Sequence, residues 1–122
     1  MSADGSLDIR VDGDVVIARV TGEIDLSNAR AIGSLVSGEV PNDASGVVLD
    51  LEETTYLDSS GVHLIFDLAE RLAERQQRLA LAVPADSRIR RVLDLVKIET
   101  AAPMMPTAEA AMSSVRAAGR DR

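Results

Sequence analysis

The chain of 122 residues is long enough for one domain with a real core, and a hydrophobic share of 46% supports a packed globule over a disordered chain. A formal charge of -7, from 13 Lys and Arg against 20 Asp and Glu, leaves no cationic footprint for nucleic acid. No cysteine is present, which excludes disulfides, thiolate chemistry and Cys-based metal sites and fits a cytoplasmic protein.

Two aromatic residues, Tyr56 and Phe66, are all the chain holds, so its core must be built from Val, Leu, Ile and Ala. The start, Met1-Ser2-Ala3-Asp4-Gly5, lacks the basic residues and apolar stretch of a signal peptide. The longest purely apolar run, 79–83, falls far short of the roughly 20 residues a membrane-spanning helix needs. A soluble protein without membrane insertion is expected.

Leu7-Asp8-Ile9-Arg10-Val11 alternates with a period of two, Asp12-Gly13-Asp14 signals a turn, and 15–20 reads as a second strand, so the two form a hairpin. Gly22-Glu23-Ile24-Asp25 breaks that pattern. Ala29, Ile32, Leu35 and Val36 follow at helical spacing, with Asp25 or Ser27 as a cap and Gly38 and Pro41 as the stop. The run 47–51 is short, β-branched and almost wholly apolar, as in a strand buried on both faces.

After Asp58-Ser59-Ser60-Gly61 comes the best-patterned segment. Val62, Ile65, Leu68, Ala69 and Leu72 project to one helical face, and His63, Asp67, Glu70 and Glu74 to another. Residues 79–83 read as a further buried strand stopped by Pro84. Asp86 or Ser87 can cap a third helix carrying Ile89, Val92, Leu93 and Val96. Residues 99–102 read as an edge strand. Pro106-Thr107 opens a last helix with Ala108, Ala111, Met112 and Val115, and residues 119–122 should fray. This β-β-α-β-α-β-α-(β)-α order predicts one α/β domain over 1–122, with its core in about 7–115. Its mixed sheet should have four to five strands, parallel in the middle through right-handed crossovers, with helices mainly on one face.

Chemistry concentrates at Asp58-Ser59-Ser60-Gly61, where a buried strand leads through a short loop into a helix. The first turn of a helix has unpaired N–H groups and partial positive charge, so a phosphate there is electrostatically supported. On the residues alone, Asp58 or Ser59 simply caps that helix. The two readings are compatible, because a cap position is also where an added phosphate is best tolerated.

No phosphate-binding or dinucleotide-binding glycine motif occurs, so no cofactor is expected. Asp50, Glu52 and Glu53 make no metal site, since strand alternation points neighbours apart. Asp25 and Asp58 lack the pocket or second histidine that acid–base work would need. His63 is the chain's one histidine and sits on a charged face, so it reads as solvated. The acidic face beside Ser59 suits a basic partner.

Taken together, Thr21-Gly22-Glu23-Ile24-Asp25, Val48-Leu49-Asp50-Leu51 and Leu57-Asp58-Ser59-Ser60-Gly61 resemble the anti-sigma factor antagonists (anti-anti-sigma factors), whose domain is called STAS. The resemblance covers about 7–115. It implies a STAS-like fold and a non-enzymatic partner switch in transcription regulation and stress response. When unphosphorylated, such an antagonist binds an anti-sigma factor with serine kinase activity and frees a sigma factor. Phosphorylation of the position matching Ser59 ends the complex, and a serine phosphatase restores it. Asp25 and Asp58 match acidic positions bordering the partner surface, with Ser60 and Gly61 shaping it.

Three positions depart from the family pattern. His63 stands where a small residue is common, close enough to the acceptor to bear on partner identity. Lys97 occupies the position where a glycine usually closes the third helix. Pro103-Met104-Met105-Pro106 lacks the usual aromatic-led edge strand. The resemblance also admits an alternative role, as a STAS scaffold or subunit of a multiprotein stress-signalling or transporter-associated complex.

Overall fold

The computed structural model describes residues 6–120. Strands β1 (Ser6–Asp12) and β2 (Val15–Ile24) pair antiparallel across the turn at Gly13-Asp14, from Asp12 opposite Val15 to Ser6 opposite Thr21. The chain continues through α1 (Ala29–Glu39), β3 (Gly46–Asp50), β4 (Thr54–Leu57), α2 (Ser59–Glu74) and β5 (Arg78–Ala82). It then forms α3 (Arg90–Leu95), a single 3-10 turn (Ile98–Thr100), β6 (Met104–Met105) and α4 (Ala108–Arg120). The sheet is six-stranded, in the order β1-β2-β3-β5-β6, with β4 pairing parallel to the far end of β2. Apart from the β1–β2 hairpin, every pairing is parallel.

Strand alternation sends successive side chains to opposite faces, and the core divides accordingly. Val16, Ala18, Val20, Val47, Leu49, Leu79 and Leu81 join Ile32 and Val36 of α1, Ile65, Leu68 and Leu72 of α2 and Leu93 of α3 in the main core. Val15, Ile17, Val48, Ala80 and Ala82 meet Ala111 and Val115 of α4 on the opposite face. Three helices thus cover one face and α4 the other, and the small side chains of β5 let α4 lie close. All five residues of β3 are buried, as a strand covered on both faces requires.

Polar groups fix the ends of this sandwich. Arg19 Nε donates to Asp50 Oδ2 at 3.2 Å between register partners on β2 and β3, and this bond raises the Arg19 pKa further. The N-terminus of α4 is held twice: Thr107 Oγ1 accepts from Ala110 N at 3.1 Å, and Glu52 Oε2 from Ala108 N at 2.9 Å. At the other end of the sheet, Arg116 of α4 clasps the hairpin turn, 3.2 Å from Asp12 Oδ1 and 3.0 Å from Asp14 Oδ1.

Several sequence expectations shift. β2 does not end at Val20: it passes Gly22 with a register irregularity and runs to Ile24. β4 was not expected at all. Residues 99–102 form no strand, because Lys97 turns the chain through a left-handed conformation (φ 56, ψ 49) and buried Ile98 starts a 3-10 turn. The edge strand comes later, at β6, where Met104 and Met105 pair with Leu81 and Ala82. Two of the apolar residues placed at helical spacing are exposed: Leu35 at 55% and, at the cap just past α3, Val96 at 38%. Of the residues expected to fray, 121–122 lie outside the described residues, as do residues 1–5 at the other end.

Candidate functional site

The site is assembled where β2 and β4 end side by side. Gly22 takes φ 95, a conformation glycine adopts without strain, and its N–H donates to Glu53 O at 3.0 Å. This bulge re-aims the last residues of β2 alongside β4. Thr54 anchors the start of β4, its buried hydroxyl donating to Val20 O at 2.7 Å. Ile24 then lies opposite Leu57 in register, and Asp58 N donates to Ile24 O at 3.3 Å. The Asp25 turn and the Asp58-Ser59 turn, 33 residues apart in the chain, therefore emerge together.

Asp58 is the cap of α2. In an extended conformation (φ -102, ψ -167), its Oδ1 accepts from Ser60 N at 2.8 Å and Gly61 N at 3.2 Å. Ser59 is the first helical residue and is exposed, and its hydroxyl makes no hydrogen bond among the described residues. Ser60 is half-buried beside it. Gly61 points inward: a Cβ there would lie 2.2 Å from Leu57 Cδ1 and 3.2 Å from Ile24 Cγ2. Its contribution is to seat the start of α2 against the ends of β2 and β4, which fixes where Ser59 stands.

Asp25 organises the neighbouring turn. Its Oδ1 accepts from Ser27 N at 2.9 Å and from Ser27 Oγ at 2.6 Å, while Asp25 N donates to Asn28 Oδ1 at 2.9 Å. Neither Asp25 nor Ser27 is the α1 cap residue. Asn28 holds that position, but its side chain reaches back to Asp25 N and Glu23 O and leaves the helix without a side-chain cap.

An open groove of about 1000 Å³ runs between α1 and α2 from this point. Ser59, Ser60 and His63 line it from α2, together with Leu64, Asp67 and Arg71; Leu26, Ala29, Arg30 and Gly33 line it from the α1 side. His63 is exposed one turn beyond Ser59. The structure thus brings Ser59, Ser60 and His63 to one surface. Asp58 and Asp25 brace its end, and Gly61 sits beneath it. Among the described residues, no group of three or more His, Asp or Glu side chains is placed to hold a metal ion.

Sequence reasoning missed Leu26, Arg30 and Arg71. Leu26 falls between the Gly22-Glu23-Ile24-Asp25 break and the helical spacing that begins at Ala29, where no periodic pattern marks it. Arg30 and Arg71 gain meaning only when α1 and α2 are known to be neighbours, although the spacing of Asp67 and Arg71 does signal their pairing.

A family model described as the STAS domain matches residues 6–111. The chain belongs to the STAS domain family. Among curated relatives, the anti-sigma-F factor antagonist RsfB of Mycobacterium tuberculosis is 26% identical over 125 residues, with 100% of each chain covered. An anti-sigma factor antagonist from Mycobacterium paratuberculosis has a similar structure, with a TM-score of 0.83 at 22% identity over 95% of this chain and 97% of that one. The anti-sigma factor antagonist SpoIIAA, in its unphosphorylated form, gives a TM-score of 0.74 at 23% identity over 92% and 97%. At these identities the structural likeness is one of fold. The elements of the STAS domain that meet at Ser59 are the Gly22 bulge, β4 and the start of α2. No helix of its described residues is long and apolar enough to cross a membrane.

Proposed function

We propose that this STAS domain is a cytoplasmic anti-sigma factor antagonist governed by phosphorylation of Ser59. Unphosphorylated, it binds an anti-sigma factor with serine kinase activity and frees a sigma factor; phosphate on Ser59 ends the complex, and a serine phosphatase restores it. The observation that carries the reading is the placement of the Ser59 hydroxyl: exposed, without a hydrogen-bond partner among the described residues, at the first position of α2 and at the mouth of the α1–α2 groove. Full-length relatives named as anti-sigma factor antagonists support it.

The position is chemically apt. Asp58 occupies the N–H groups of Ser60 and Gly61, so the helix start is closed without drawing on the Ser59 hydroxyl. A kinase can therefore take that hydroxyl without breaking a structural bond, and the dipole of the helix favours the charge that results even with those N–H groups held by Asp58. The domain itself performs no turnover in this reading; Asp25, Asp58, Ser60, Gly61 and His63 shape a binding surface. Incubation with a cognate kinase and ATP should add one phosphate, located at Ser59 by phosphopeptide mass spectrometry and abolished by Ser59→Ala. Label on Ser60 or Thr54 would reject the assignment.

A further inference from the structure

The α1–α2 groove carries a charge unlike the rest of the chain. The protein's formal charge is -7, yet the groove lining supplies two guanidiniums, Arg30 and Arg71, and the His63 imidazole against one carboxylate, Asp67. That carboxylate is already engaged, with Arg71 Nε 3.0 Å from Asp67 Oδ2. Arg30 is exposed and forms no ion pair among the described residues. The acidic face read from α2 alone therefore does not describe this surface, because α1 delivers a cation to it.

The groove is also apolar where its walls meet. Gly33 and Leu64 approach so closely that a Cβ on Gly33 would lie 2.8 Å from Leu64 Cδ1, and Ala29 is buried beside them. Leu26 stands at the rim with 83% of its surface exposed, the most exposed of the large apolar side chains among the described residues. With 11 residues, α1 offers a wall of roughly 16 Å, enough for about three turns of a docked helix. An apolar strip flanked by guanidiniums on an otherwise acidic protein is complementary to a helix with one apolar and one acidic face.

We propose that the partner enters this groove with an acidic amphipathic helix, its apolar side chains on the exposed Leu26 at the rim and its carboxylates on Arg30 and His63. The proposal rests on the partner-switching reading and specifies the chemistry of the partner. It also gives phosphorylation a direct route of action. A phosphate on Ser59 adds a charge of about -1.5 to -2 on the same lining, competes for Arg30 and His63, and turns a cationic groove anionic.

The test measures affinity for the anti-sigma factor at low and raised salt, using wild type, Arg30→Glu, Arg30→Gln, Leu26→Ala and a control, Arg78→Glu. Arg78 is exposed at the start of β5, beside Gly46 at the opposite end of the sheet. Arg30→Glu should weaken binding by about tenfold or more, Arg30→Gln and Leu26→Ala by less, and Arg78→Glu hardly at all. Wild-type affinity should fall with salt, and a Glu→Lys change on the partner's helix should restore binding to Arg30→Glu. Affinity that ignores Arg30→Glu and salt, while phosphorylated Ser59 still releases the partner, overturns the acidic-helix proposal and leaves partner switching standing. Equal losses for Arg30→Glu and Arg78→Glu also overturn it, because they would report long-range charge and not docking. A wild-type protein that binds no serine-kinase anti-sigma factor at all removes both readings.

Discussion

Ile24 and Leu57 are register partners at the ends of the parallel pair β2 and β4, and each is followed directly by an aspartate that organises a turn. This one pairing converts two distant sequence segments into one surface. Gly61 packs on the same two side chains, so the ladder, the turn and the helix start behave as one rigid corner.

That corner predicts the cost of its simplest perturbation. A Cβ at Gly61 would meet Leu57 Cδ1 at 2.2 Å, far inside van der Waals contact. Gly61→Ala should destabilise the domain by about 1–3 kcal/mol, the range for overpacking a filled core. Urea denaturation measures it. Leu57→Ala combined with Gly61→Ala should cost less than the sum of the single changes, since the first opens space for the second. Strict additivity would show that the clash relaxes elsewhere.

The hairpin clasp predicts an acid-sensitive term. Hydrogen bonds from Ser45 and then from Arg116 hold the Asp14 carboxyl below its ordinary value of 3.8. A depressed folded pKa means that the unfolded chain takes up the proton first. The stabilisation is therefore complete above the ordinary aspartate range, about pH 4, and is lost as pH falls through the folded value. Asp14→Asn should lower the melting temperature near neutrality, and its curve should converge with that of wild type in acid. A constant gap down to low pH would assign the effect to hydrogen bonding alone.

Lys97 predicts a gain. It closes α3 in the left-handed region, with φ 56, where a side chain carries a penalty that glycine avoids. Lys97→Gly should stabilise the domain, with partner binding unchanged. The left-handed cost it removes, roughly 1–2 kcal/mol, exceeds the roughly 0.5–1 kcal/mol of extra chain entropy that glycine loses on folding. A loss of stability would mean that the Lys97 stem packs usefully enough to offset its backbone.

How much of this was legible in the sequence depended on the range of the interaction. The strands around Val48 and Leu81 and the helix carrying Ile65 and Leu68 were readable because an unbroken local period encodes them. Thr54-Thr55-Tyr56-Leu57 was not, because two acidic residues precede it and its strand character comes from pairing with β2. Lys97 was noticed as a departure where glycine is usual, and its left-handed backbone accounts for that preference. Ser59 was found through its motif. The cationic groove was not, because Arg30 and His63 come to line one groove only after α1 has packed on α2 through Gly33 and Leu64.

The switch itself follows from how differently one phosphate is treated inside the domain and across an interface. On the free protein, a charge of about -1.5 to -2 on Ser59 lies at the start of a 16-residue helix, where the exposed dipole stabilises it by about 0.3–1 kcal/mol. The fold should therefore persist, and circular dichroism should be nearly unchanged by phosphorylation. Within a complex, the same phosphate must be desolvated or must face acidic groups, which can cost several kcal/mol. A penalty of about 3 kcal/mol corresponds to a loss of affinity of about a hundredfold. Ser59→Asp carries less charge and fewer acceptor oxygens, so it should reproduce only part of that loss, whereas Ser59→Ala should bind constitutively. Calorimetry on the wild type, its phosphorylated form and the two variants ranks the four affinities. If phosphorylated and unphosphorylated protein bind equally, Ser59 is only the first residue of a well-capped helix, and partner switching through it is excluded.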